Sequence, residues 1–141
     1  MTTALKSPPH PIRAEVGRRR REAFREDYTD MRSWGLDHSQ IAERFGVTRE
    51  SLIRRCDRNR IYIPEEHERA VLARLEELIK SGTVFTCEAL PRAERSAGVG
   101  ALRRAFAAGR IHPIGWAALK DMKGHRIRLW QATSAFVAVA S

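Results

Sequence analysis

Cysteine is scarce in this chain. Cys56 and Cys87 stand alone, without CxxC spacing. A disulfide framework or a thiolate zinc site needs more, so the two read as reduced thiols packed as small hydrophobes. Lysine is also rare, with 4 residues against 22 arginines. An Arg bias of this kind can reflect a GC-rich coding sequence, so the surplus of charge carries more weight than the choice of Arg. No apolar run approaches the roughly 18 residues of a membrane span, and the N-terminus lacks a signal-peptide hydrophobic region. The expectation is a soluble, cytoplasmic chain without membrane partners.

Catalytic signatures are missing too. The histidines His10, His38, His67, His112 and His125 show no paired ligand spacing, and there is no HExxH motif. A GxxxxGK[ST] phosphate loop is absent, and "GVG" at Gly98–Gly100 is too short for a nucleotide fingerprint. No Ser or Cys has an evident His partner. These absences predict a protein that is not an enzyme and holds neither metal nor cofactor.

Positive charge is abundant. The 141 residues are 43% hydrophobic and 30% charged, with a formal net charge of +9 and a pI near 10.7. That balance favours a polyanionic partner. The length allows one ordinary domain or two small ones.

The N-terminal "TTALKSPPHPIR" reads as a flexible arm over residues 1–16. Phe24, Tyr28, Met31 and Leu36 then recur near helical spacing, predicting a helix from about Gly17 to Ser33 that Gly35 ends. The run Arg18–Arg21 falls at its start, where positive charge opposes the helix dipole. In "DHSQIAERFGVTRESLIRRCDR", Asp37 and Gln40 form a reciprocal cap and open a short helix. Ile41, Ala42, Phe45 and Val47 are expected inward, and Gly46 supplies a left-handed turn. Thr48 caps a second helix that buries Leu52 and Cys56 and ends near Arg58.

"RIYIPEE" marks a boundary at which a new helix starts, its first turn suited by Glu65, Glu66 and Glu68. Val71, Leu72, Leu75, Leu78 and Ile79 form its apolar stripe, and Gly82 stops it. "TVFT" reads as extended, with Thr86 capping a brief helix from Cys87 to Leu90. A further helix spans about Gly98 to Ala108, with Val99, Leu102 and Phe106 inward. "RIHPIGWAAL" and "HRIRLWQAT" then alternate as antiparallel strands around the basic loop "KDMKGH". Trp116 and Trp130 read as hairpin packing. The tail "SAFVAVAS" reads as an edge strand or a docking segment.

A small residue at Ala42, a turn at Gly46 and apolar positions on both sides are what two closely crossed helices require. Residues Glu22 to Arg58 resemble bacterial helix-turn-helix regulators. They depart at Arg55, where an apolar residue usually follows Leu52 by three and Cys56 is left to close the core. The resemblance implies that the second helix enters the major groove. Thr48, Arg49, Glu50, Ser51 and Arg54 would then face base edges, where Arg takes both guanine acceptors and Glu accepts from cytosine. Glu50 is equally at home as a solvated helix former. Arg18, Arg19, Arg20, Arg21, Arg55 and Arg58 would meet phosphates.

The junction "VGALRRAFAAGRI", the following "GW" and the returning "RIRLW" carry a second resemblance. Glu68 to Thr133 looks like the small winged-helix proteins of temperate phages and mobile elements of GC-rich bacteria. That likeness implies base contacts from Arg103 and Arg104. It implies backbone or minor-groove contacts from Lys120, Lys123, His125, Arg126 and Arg128. From Gly82 onward there are nine Lys and Arg against three Asp and Glu, whereas Pro64–Ser81 carries three against five.

The expected architecture is mainly α with a small β-hairpin wing: arm 1–16, helix-turn-helix bundle 17–62, winged-helix domain 63–133 and apolar tail 134–141. The function it implies is sequence-specific binding of double-stranded DNA by a nucleoid-associated transcriptional regulator, most concretely a phage or mobile-element repressor. A homodimer and a contact to RNA polymerase are compatible partners. An architectural or recombination-directionality factor is the alternative, as is an adaptor whose winged helix grips a protein.

Overall fold

Pro11, fixed near the helical φ and lacking an N–H that a first turn would leave unused, begins the first helix. In the computed structural model, which describes residues 11–91, 95–119 and 123–138, α1 spans Pro11–Ser33. Residues 11–16 are therefore helical, not part of a flexible arm; residues 1–10 lie outside the described residues. This start also removes the conflict posed by Arg18–Arg21. They sit beyond the first turn, where the dipole's effect has faded.

The chain divides at Ile63/Pro64 into two units, each with its own core. In the first, α2 (His38–Phe45) and α3 (Arg49–Arg58) follow α1. Asp37 accepts from the Gln40 N–H at 2.8 Å while Gln40 Oε1 accepts from the Asp37 N–H at 2.9 Å. Gly46 turns the chain at φ 67°, and Thr48 Oγ1 accepts from the Ser51 N–H at 3.1 Å. Phe24, Tyr28, Ile41, Ala42, Leu52 and Cys56 fill the core, with Phe45 at its margin. Val47 points outward, 42% exposed, because the αL turn at Gly46 leaves it outside the helix pair.

A polar element completes this core. His38 is fully buried, with Nε2 2.8 Å from the Tyr28 hydroxyl, which accepts from the Ile63 N–H at 2.9 Å. The Tyr62 ring stacks on the imidazole with centroids 4.8 Å apart. Burial pushes the Tyr28 hydroxyl well above its ordinary pKa, outweighing the opposing effect of the Ile63 N–H. Segment 61–63 is thereby fastened across the bundle.

The second unit opens with a 3-10 turn (Glu66–Glu68) before α4 (Arg69–Ser81). Val71, Leu75, Leu78 and Ile79 are buried and Leu72 partly so. Gly82 caps α4 at φ 68°. Cys87–Ala89 form a second 3-10 turn, with Thr86 accepting from the Glu88 N–H. Cys87 is exposed there rather than packed. α5 (Arg95–Ala107) buries Ala97, Ala101, Leu102 and Ala105. Val99 (55% exposed) and Phe106 (49%) face outward instead of inward. The alanines recur every four residues, and their small side chains let α5 lie close against the core.

β1 (Ile111–Ala118) and β2 (Arg126–Ala132) pair antiparallel. Phe85 bridges to Trp130 through two backbone hydrogen bonds, leaving β1 as the edge. Edge placement tolerates Pro113, and the register shifts between Pro113 and Gly115. The tail makes no strand through residue 138: Ser134–Phe136 form a 3-10 turn, and the Ala138 N–H donates to the Lys80 carbonyl. Val137 packs against the core and against Gly82.

Arg110 and Glu76 tie the strand entrance to α4 at 2.6 Å. The hydrogen bond from Arg110 holds the Glu76 carboxyl below its ordinary value of 4.5. Its stabilisation is therefore present above that value and lost as pH falls through the lowered one. Both side chains are partly solvated, so the pair contributes about 1 kcal/mol at most. Glu76→Gln is expected to lower the melting temperature at pH 7, with the difference from the parent chain shrinking as pH falls below the ordinary carboxyl value of 4.5.

Candidate nucleic-acid interface

The outward side of α3 follows from what its inward side buries. With Leu52 and Cys56 in the core, Glu50, Ser51, Arg54 and Arg58 are exposed. Glu50, Arg54 and Arg58 recur every four residues and form one stripe. Ser51 lies beside it and exposed Val47 at its head. Arg49 is half-buried at the first position of the helix. The Thr48 hydroxyl is engaged in capping, which reduces its reach towards a ligand.

Arg55 takes a different place. Its guanidinium carbon lies 4.1 Å from the Phe24 ring centroid, so it covers a core aromatic as a cation–π partner. With Cys56 fully buried beside it, this explains how a helix pair tolerates Arg at a usually apolar position. Arg55, expected at a phosphate, is half-buried over this ring.

On α1, Arg18, Arg19, Arg20 and Arg21 are all exposed. Arg19 pairs with Glu15 at 2.9 Å, a solvent-exposed contact of little energetic weight. Arg25, which sequence reasoning passed over, donates to the Asn59 carbonyl at 2.7 Å and ties α1 to the end of α3.

In the second unit, two adjacent arginines separate. Arg103 is exposed, whereas Arg104 is half-buried with Nη1 3.8 Å from Oε1 of the buried Glu68. Successive helix residues differ by about 100° in direction, so only one of the two can share the outward face of Val99 and Phe106. Arg104 is thus tied to the start of α4 and lies off the outward face that Arg103 shares. Glu68 itself, expected in the first turn of a helix, is buried and accepts from the Glu65 N–H at 2.7 Å.

Lys123, His125, Arg126 and Arg128 are exposed on the hairpin; Lys120 lies outside the described residues. Trp130 packs against the core, as hairpin packing requires. Trp116 does not: it is 55% exposed, and the Arg128 guanidinium carbon lies 4.6 Å from its ring centroid.

Among the described residues no helix is long and apolar enough to cross a membrane. No group of three or more His, Cys, Asp and Glu there could hold a metal ion. No protein-family model, curated protein or solved structure matches the chain.

Proposed function

We propose that the chain is a sequence-specific double-stranded DNA-binding protein acting as a transcriptional regulator, most concretely a repressor. The observation that carries this reading is the capped α2–turn–α3 pair. It buries one side of α3 and leaves Glu50, Ser51, Arg54 and Arg58 in solvent, on a chain of net charge +9. A helix so presented suits the major groove, with N-terminal residues towards bases and Arg58 towards phosphate. Arg18–Arg21 supply charge along α1.

The second unit is read as a winged helix. Arg103 meets DNA from α5, while Lys123, His125 and Arg126 meet the backbone from the hairpin. Lys123→Ala should weaken all duplexes about equally and reduce the slope of log affinity against log salt by about 1. Titration of a labelled duplex at several salt concentrations checks this; an unchanged slope removes the hairpin from the interface.

A second reading has its own support. Exposed Val99 and Phe106 flank Arg103 on α5, an apolar pairing better suited to a protein surface than to a groove. There α5 would grip a protein and only the first unit would touch DNA. Arg103→Glu separates the two: a loss of roughly tenfold in DNA affinity favours DNA contact, and unchanged affinity favours the adaptor.

A further inference from the structure

The hairpin carries an aromatic and guanidinium ladder that duplex binding by a basic wing does not use. Pairing sets Trp116 opposite Arg128, and paired residues share a face. Trp130, two residues from Arg128 on the same strand, shares it too. The Arg128 guanidinium carbon lies 4.6 Å from the Trp116 centroid and 5.8 Å from that of Trp130. Phe106 of α5 continues the series, its ring 5.8 Å from Trp130 and tilted by 59°.

This arrangement depends on one irregularity. The register skips Ile114 between Pro113 and Gly115; in an unbroken ladder Trp116 would oppose Ile127 and fall on the other face. The bulge therefore places an indole beside Arg128 at the outer part of the hairpin. The ring contributes little to the core, being 55% exposed. No ring contact other than that with Arg128 engages it among the described residues.

We propose that Trp116 and Arg128 form a stacking site for an unpaired nucleobase in DNA, so that the second unit favours duplexes with a locally extruded base. The charge around the site selects the occupant. The described hairpin residues 111–119 and 123–132 include Lys123, Arg126 and Arg128 and no Asp or Glu. A base attached to its phosphates offers a flat π-face to the indole and negative charge to these cations. The site rests on the reading that the hairpin meets DNA, and adds a preference that phosphate contacts alone would not give.

Three labelled probes test it with the full chain: a perfect duplex, the same duplex with one extra unpaired nucleotide, and that duplex with an abasic residue as the extra nucleotide. The parent chain should bind the base-containing bulge about tenfold more tightly than the perfect duplex. The abasic bulge, distorted but without a base, should lose most of that advantage. Trp116→Ala should abolish the preference while leaving perfect-duplex affinity unchanged, and Trp116→Phe should retain much of it. Equal binding of basic and abasic bulges overturns the stacking site, as does a preference that survives Trp116→Ala. If the perfect duplex binds and no bulge preference appears, only this inference falls. If no probe binds, the DNA-binding reading falls with it.

Discussion

Leu52→Ala is expected to cost the first unit about 2–5 kcal/mol and to lower its melting temperature by roughly 10–30 °C. Leu52 is 1% exposed on the inner side of α3, in the same core as Phe24, Tyr28, Ile41 and Cys56. The cavity left behind cannot close freely because α2 and α3 are held by the Gly46 turn and by caps at Asp37 and Thr48. A unit this small begins near the lower end of domain stability, so the loss is a large fraction of the total. The second unit has a separate core from Val71 to Ala132, and its melting should be unaffected. Calorimetry resolves this as two transitions, of which one moves. A parallel shift of both would contradict two independent cores.

Arg54→Glu is expected to weaken specific DNA binding by about 3 kcal/mol, roughly 100-fold. The exposed Arg54 lies one turn beyond Glu50 on the outer stripe of α3. On the proposed reading, a bidentate Arg54 contact to guanine would be worth about 1–3 kcal/mol of discrimination, and the new carboxylate would add repulsion from phosphate. Arg55→Glu tests the contrast. Arg55 lies over Phe24, so its replacement should lower stability more than it changes DNA affinity once folded protein is compared. Melting curves and binding titrations on both variants separate the two effects. Equal losses of affinity from two folded variants would mean that α3 does not present one reading side.

The α2–α3 pair was legible in the sequence because its determinants are local. Asp37 and Gln40 lie three residues apart, Gly46 ends one helix, and Thr48 opens the next. The capping box, the φ of 67° and the Thr48 cap all appear in the structure. The stripe of α4 and both strands of the hairpin were legible through their periods. His38 was not, because "DHSQ" reads as a polar helix start. Its burial depends on Tyr28 and Tyr62, distant in sequence and brought together only by the fold.

Rotational phase was the other thing hidden. On α5 the larger residues Val99 and Phe106 attracted the inward assignment, yet the alanines pack inside. That choice also decides which of Arg103 and Arg104 faces solvent. On β1 a single skipped residue at Ile114 changes the face that Trp116 shares. Neither the identity of the strand nor its length signals such a bulge, although Pro113 and Gly115 mark where a ladder is easily broken. Arg55 shows the reverse case, in which a charge that reads as a phosphate contact closes a core by lying on a ring.

Selection of bound sequences from a random duplex pool at moderate salt, with the full chain and with residues 1–63, tests the central claim most directly. Sequence-specific reading by α3 predicts an enriched motif in both selections, with the motif longer for the full chain. It also predicts that Arg54→Ala relaxes preference at one base position. Tight binding without any enriched motif from either protein would contradict the account.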